Sequence, residues 1–267
     1  MKKRDKIIFF VSMAVFLGAA AFGITYYVSV KQNEKAYEKL SEEAVKEETQ
    51  FVKEQKEEPQ PDPVEEIEEK SEPESESTAD IPVDFVALQT KNPDIYGWIR
   101  IPGTQVDYPV VQSGTDDGYY LNHTVEGAEG LPGSIYTENL NRKDFTDGLT
   151  VIYGHNMRDG SMFGGLDAYT DKAYMKEHSQ LIIYTPEHQY TYRVFAAVTY
   201  DNRHILHSYD CNDKIQIQSF LDSQDRLSGC RNEEVQVTGE DRIIILSTCN
   251  GNNDQRFLVE AVLTDEK

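Results

Sequence analysis

A cysteine, a histidine and an arginine lie where the chain breaks from apolar strand into polar turn, and together they could carry acyl-transfer chemistry. Ile243-Ile244-Ile245-Leu246-Ser247-Thr248-Cys249 opens on four large apolar residues, three of them β-branched. Such a run reads as a strand buried on both faces, and here it ends on a thiol. Asn250-Gly251-Asn252-Asn253-Asp254 supplies turn residues, and Arg256 to Leu263 reads as a returning strand. In a hairpin of these two strands, Cys249 and Arg256 face each other. A guanidinium beside a thiol favours the thiolate, the form that attacks carbonyl carbon.

A lone cysteine at a strand end is ordinarily a small buried hydrophobe. A partner upstream changes that reading. Leu149-Thr150-Val151-Ile152-Tyr153 is another β-branched strand, and it breaks at Gly154-His155-Asn156. Imidazole at one strand end and thiol at another are the acid/base and the nucleophile of cysteine-based acyl transfer.

These side chains need a rigid scaffold, and the folded part is expected from Ile81 to the C-terminus. Val83 to Lys91 reads as a short helix. Strands follow at 96–101 and 106–111, joined by Pro102-Gly103-Thr104, then at 133–137 and 149–153. Two short helices are expected at 161–169 and 172–178, strands at 181–184 and 190–200, and a helix over 214–228 before the closing hairpin. About eight strands with inserted helices, and no regular βαβ rhythm, predict a mainly β fold built as a closed mixed barrel. Strand ends distant in sequence can then meet at one rim.

Ahead of this domain the composition changes three times. A basic leader, residues 1–6, precedes 24 residues without a charge, Ile7 to Val30. That is long enough to span a bilayer core of about 20 residues, and the basic flank predicts a cytoplasmic N-terminus with the rest exported. A cleaved signal peptide is the competing reading, but its apolar core would be only about 7–15 residues. From Lys31 to Asp80 the chain carries 18 acidic and 7 basic residues, a large share of the net −21. Tyr37, Leu40, Ala44 and Phe51 give 33–58 a weak helical stripe, read as a spacer stalk. Residues 59–80, rich in Pro, Glu and Ser, read as a disordered tether. No basic stripe is present, which argues against nucleic acid as a partner.

Three cysteines leave at least one thiol over. Cys211 and Cys230 flank the helix expected at 214–228, too long for the about 6 Å Cα separation of a disulfide. Three free thiols are therefore expected.

Several segments, in this order and spacing, resemble a class B sortase, a membrane-anchored cysteine transpeptidase of Gram-positive bacteria. They are Asn92-Pro93-Asp94-Ile95-Tyr96-Gly97-Trp98-Ile99, Tyr119-Tyr120-Leu121-Asn122, Tyr153-Gly154-His155-Asn156-Met157, Asp159-Gly160-Ser161-Met162-Phe163 and Leu246-Ser247-Thr248-Cys249. The helix at 214–228 is the feature that resembles class B rather than class A. The resemblance implies a sortase-like β-barrel in which Cys249 is the nucleophile, His155 the acid/base and Arg256 the oxyanion or substrate stabiliser. The family's arginine often lies one or more positions farther on, so the loop here is short. Leu121, Ser247 and Thr248 match positions that resemble substrate-groove contacts. The implied reaction is cleavage of a C-terminal sorting signal of secreted proteins after Thr, through a thioacyl enzyme. Its acceptor would be a peptidoglycan-precursor or pilin-lysine amine. No cofactor or metal is implied.

Other classes predict different patterns. In a papain-like protease the cysteine precedes the histidine, whereas here His155 leads by 94 residues. An L,D-transpeptidase would carry Ser-x-Gly-Cys with Arg two positions on, against Ser247-Thr248-Cys249-Asn250-Gly251 here. A non-enzymatic surface scaffold or adhesin would suit the acidic stalk. His204 and His207, with Asp201 and Asp210, are the one metal-like grouping, and they lack a Cys-rich or HExxH ligand set.

Overall fold

The computed structural model describes residues 3–44, 81–252 and 254–267; in its first helix the side chains of residues 3–11 and 14 lie outside that description. The tether expected at 59–80, and the part of the stalk beyond residue 44, lie outside the described residues.

Nine strands among the described residues form one sheet: β1 (Ile95–Arg100), β2 (Asp107–Val111), β3 (Ile135–Tyr136), β4 (Leu149–Tyr153), β5 (Gln180–Tyr184), β6 (Gln189–Asp201), β7 (Gly229–Arg231), β8 (Ile243–Cys249) and β9 (Gln255–Glu266). Their order is β5-β1-β2-β3-β4-β8-β9-β6-β7, and an additional β5–β6 pairing closes eight of them into a barrel. The ninth, β7, lies outside the ring against Ala196–Val198 of β6. Most pairings are antiparallel, but β2 with β3 and β4 with β8 run parallel.

The barrel interior is filled by large side chains, among them Trp98, Phe145, Tyr190 and Tyr192, each at most 2% exposed. Strand β8 explains why its sequence is apolar without alternation. Ile244 and Leu246 belong to the interior core, while Ile243 and Ile245 belong to a second cluster on the outer wall. That outer cluster is roofed by Ile205 and Leu206 of one short helix and by Ile217 and Phe220 of another. Burial on both faces is what the consecutive isoleucines predicted.

Among the described residues five α-helices accompany the sheet: α1 (Lys3–Ala44), α2 (Phe85–Lys91), α3 (Lys172–Glu177), α4 (Ile205–Ser208) and α5 (Lys214–Ser223). The helix expected over 214–228 stops at Ser223, and the chain goes on in tighter turns, with Gln224 N donating to Leu221 O and Leu227 N to Gln224 O. The segment expected to be helical at 161–169 is instead a 3-10 turn over Gly164–Thr170. Two adjacent glycines, which disfavour an α-helix interior, open it.

The stalk departs most from expectation. Its stripe is not solvated: Tyr37, Leu40 and Ala44 of α1 are buried in the same core as the barrel. The spacer reading is corrected for residues 33–44, because these three members of the stripe pack against the barrel, while Phe51 lies outside the described residues. Among the described residues no helix is long and apolar enough to cross a membrane. The span expected at 7–30 falls within α1, with its first side chains outside the description.

One core residue breaks the apolar rule. Glu260 of β9 is fully buried, and among the described residues neither carboxyl oxygen has a hydrogen-bond partner. Burial pushes its pKa from 4.5 up to about 8, against the opposing pull of Gln224 and Arg231. Between these values the folded protein holds a proton that the unfolded chain has released, so stability falls as pH rises through that window. Glu260→Gln keeps the shape and removes the titration. Its gain in melting temperature over the wild type should be larger at about pH 8 than at about pH 5. An equal gain at both would contradict the assignment.

Candidate active site

The parallel pairing of β4 with β8 builds the site. Its register runs Leu149↔Ile243 through Tyr153↔Ser247, where β4 ends while β8 runs on two residues to Cys249. The ladder continues one step, Gly154 N donating to Ser247 O at 3.2 Å. Asn156 Nδ2 then donates to Cys249 O at 2.7 Å and ties the two strand exits together. His155 and Cys249, each two residues past the last register pair, therefore leave the barrel side by side. Gly154 permits the turn, since a Cβ there would come within 2.5 Å of Ile135 and 2.7 Å of Phe163.

The β8–β9 hairpin supplies the third group. Its register pairs Cys249 with Arg256 and Ser247 with Leu258. Arg256 also sits opposite Tyr200 of β6. Alternation along β8 puts Ser247 and Cys249 on the outer face with Ile243 and Ile245. The thiol is exposed there, and all three cysteines, Cys211, Cys230 and Cys249, are free.

A cleft of about 330 Å³ contains His155, Cys249 and Arg256 together with Leu121, Ser247 and Thr248. The first five present side chains or backbone to it. Thr248 borders it too, but alternation turns its side chain inward, where Oγ1 is buried with no hydrogen-bond partner among the described residues. Leu121 is 41% exposed at the rim. Its carbonyl has a second part: it lies 2.7 Å from His155 Nε2. A carbonyl only accepts, so Nε2 carries the hydrogen and Nδ1 is left for the exchanged proton.

Tyr136, Tyr153, Tyr200 and His204 complete the wall. The Tyr136 and Tyr153 rings stack at 5.3 Å. Burial pushes both phenols up, with Arg256 pulling the other way, so they stay neutral beside the guanidinium. His204, weighed from sequence as a metal ligand, engages both ring nitrogens with protein. Nε2 lies 2.9 Å from Glu138, and Nδ1 accepts the His207 amide. Asp201 is held by Arg203 at 2.6 Å. Among the described residues no group of three or more His, Cys, Asp or Glu is placed to hold a metal.

The Sortase domain family model matches residues 99–264. The chain belongs to the sortase family. Sortase B of Listeria monocytogenes is 35% identical over 167 residues, which cover 62% of this chain and 67% of that protein. Sortase B of Staphylococcus aureus is 33% identical over 165 residues, with the same coverage. Among solved structures, a Staphylococcus aureus sortase B–substrate complex matches at 28% identity with TM-score 0.67, covering 88% of this chain and 97% of that one. Sortase B from B. anthracis in complex with AAEK1 matches at 33% identity with TM-score 0.62, covering 71% and 88%. This sortase is thus of the class B kind, a cysteine transpeptidase, and its barrel is the family's eight-stranded one.

The wall tyrosines, Asn156 and the Leu121 carbonyl were not singled out as site groups from sequence. Tyr136 and Tyr153 do occupy strand ends next to the polar breaks, which is a usable signal; a backbone carbonyl gives none. Gly133 is a further such position, with φ +66 and no room for a side chain: a Cβ would meet Leu121 O at 2.5 Å and His155 Cδ2 at 3.1 Å. Gly133→Ala should cost about 1–2 kcal/mol of backbone strain. It should also lower the rate of thiol alkylation or of turnover by at least about 10-fold through displacement of His155. Thermal melting with a thiol-reactivity assay checks both, and unchanged reactivity in a folded variant would contradict the geometry.

Proposed function

We propose that this transpeptidase cleaves a C-terminal sorting signal of secreted proteins after a Thr residue and transfers the product to an amine. The carrying observation is the convergence of Cys249, His155 and Arg256 at one cleft on adjacent strand ends. Cys249 thiolate attacks the scissile carbonyl, forming a C–S bond and an oxyanion that Arg256 stabilises. His155 as imidazolium gives its proton to the departing amine, and a thioacyl enzyme remains. The incoming amine loses a proton to His155, attacks the thioester carbonyl and expels the thiolate. Ser247 and Leu121 border the path of the peptide, and Thr248 contributes its backbone.

Support for an oligopeptide donor and a small amine acceptor comes from similar proteins: one solved neighbour is a Staphylococcus aureus sortase B–substrate complex and another is sortase B complexed with triglycine. A peptidoglycan cross-bridge amine or a pilin lysine fits that acceptor chemistry. The N-terminal segment would hold the enzyme at the cell membrane as a single span, N-terminus cytoplasmic and barrel outside. The charge-free run from Ile7 to Val30 supports this, as do Val15, Phe16, Phe22, Ile24 and Val28, all exposed on α1. Tethering raises the local concentration of membrane-linked substrates and acceptors.

Incubation with LPxTG-like and NPxTN-like peptides, read by mass spectrometry, tests the proposal. Cys249→Ala should abolish the adduct. Arg256→Ala should slow its formation by about 10²–10³, as for loss of an oxyanion donor. An adduct that persists in Cys249→Ala would overturn the assignment.

A further inference from the structure

The stalk helix reaches the catalytic histidine through three successive contacts. Tyr37 of α1 is buried, and its hydroxyl donates to Gly133 O at 2.6 Å. The Tyr37 hydroxyl oxygen also lies 3.1 Å from Ser134 Oγ and accepts the Val125 amide at 3.2 Å. Four residues earlier on the helix, Asn33 Nδ2 donates to Leu131 O at 2.8 Å. Two side chains of the stalk thus grip both ends of the turn at 131–133. Gly133 in turn has the His155 ring and the Leu121 carbonyl against its Cα, so close that no Cβ fits between them. The Leu121 carbonyl then fixes His155 Nε2.

We propose that Tyr37 is a positioning residue for His155, so that docking of the stalk helix on the barrel is a condition of catalysis and not only a means of attachment. The proposal rests on the transpeptidase role of His155 given above. If the Gly133 carbonyl loses its donor, the turn relaxes away from the imidazole. The Leu121 carbonyl then no longer holds Nε2–H, and the ring samples the other tautomer and other rotamers. A fraction of molecules lacks a correctly placed acid, and kcat falls in that proportion while the peptide cleft, which Tyr37 does not touch, is unchanged. Burial pushes the Tyr37 phenol up to about 12, so the hydroxyl remains a donor throughout the range in which the enzyme can be assayed. Its ring packs edge-on against Tyr108 at 5.9 Å, a contact that phenylalanine retains.

The test is Tyr37→Phe in the full chain, in detergent, with imidazole-15N-labelled histidine. Expected are a kcat on an NPxTN-type or LPxTG-type fluorogenic peptide lower by about 10-fold, a KM within about twofold of wild type, and a shift of the His155 15N signals from the Nε2–H pattern towards a tautomer mixture. Asn33→Ala should shift both in the same direction and by less. A folded Tyr37→Phe with wild-type kcat and the wild-type 15N pattern, whatever its melting temperature, overturns the proposal, because a merely structural tyrosine would change only the melting temperature. Should the wild type turn over neither peptide, the substrate reading fails instead, and the 15N pattern alone decides whether Tyr37 orients His155.

Discussion

The in-register parallel pairing of β4 with β8 is the constraint on which the site depends. Strands in a sheet lie about 4.8 Å apart, and parallel neighbours deliver the residues that follow their last paired positions side by side. Cys249 and His155 are therefore brought together by the backbone ladder and not by flexible loops. Asn156, which donates to the carbonyl of Cys249, locks the two exits beyond the last ladder bond. Parallel pairing is stable only where both faces are covered. That requirement accounts for α4 and α5, whose Leu206, Ile217 and Phe220 roof the outer face of β4, β8 and β9. At the strand ends the roof borders the cleft, which Ile205 of α4 helps to line.

Around this pair the chain supplies a layered support. Arg256 comes from the next strand by hairpin register, so its distance from Cys249 is again set by the sheet. His155 is held from the opposite side, through Leu121 and Gly133, by a segment with little regular structure that the stalk helix clamps. One side of the site is thus rigid by hydrogen-bond ladder, and the other by side chains of an element outside the barrel. Catalytic geometry of this kind tolerates little looseness, since displacements near 1 Å at a reacting group are costly.

That Cys249, His155 and Arg256 would meet at one rim was legible in the sequence because each stands where a β-branched run meets polar turn residues. The Cys249–Arg256 register followed from the short loop between their strands. The closed barrel was legible from strand number and the lack of a βαβ rhythm, while β7, three residues of Gly-Cys-Arg, gives no period to read. The stalk was misread because a stripe of Tyr37, Leu40 and Ala44 is too narrow to announce burial, and its hydrogen bonds go to backbone carbonyls. The same holds for Leu121, expected at the groove from the family resemblance, whose carbonyl lies against His155 Nε2. Glu260 could not be anticipated either, because a glutamate in an otherwise apolar strand reads as its solvent edge.

The central claim is that imidazole and thiol are coupled by the strand pairing itself, before any substrate binds. The rate of Cys249 alkylation by iodoacetamide, followed against pH in wild type and in His155→Gln, tests it most directly. The account predicts a wild-type profile with an inflection from the histidine in addition to that of the thiol, and a profile in His155→Gln from which the histidine inflection is missing. Superimposable profiles would mean that the two groups titrate independently, and would contradict the account.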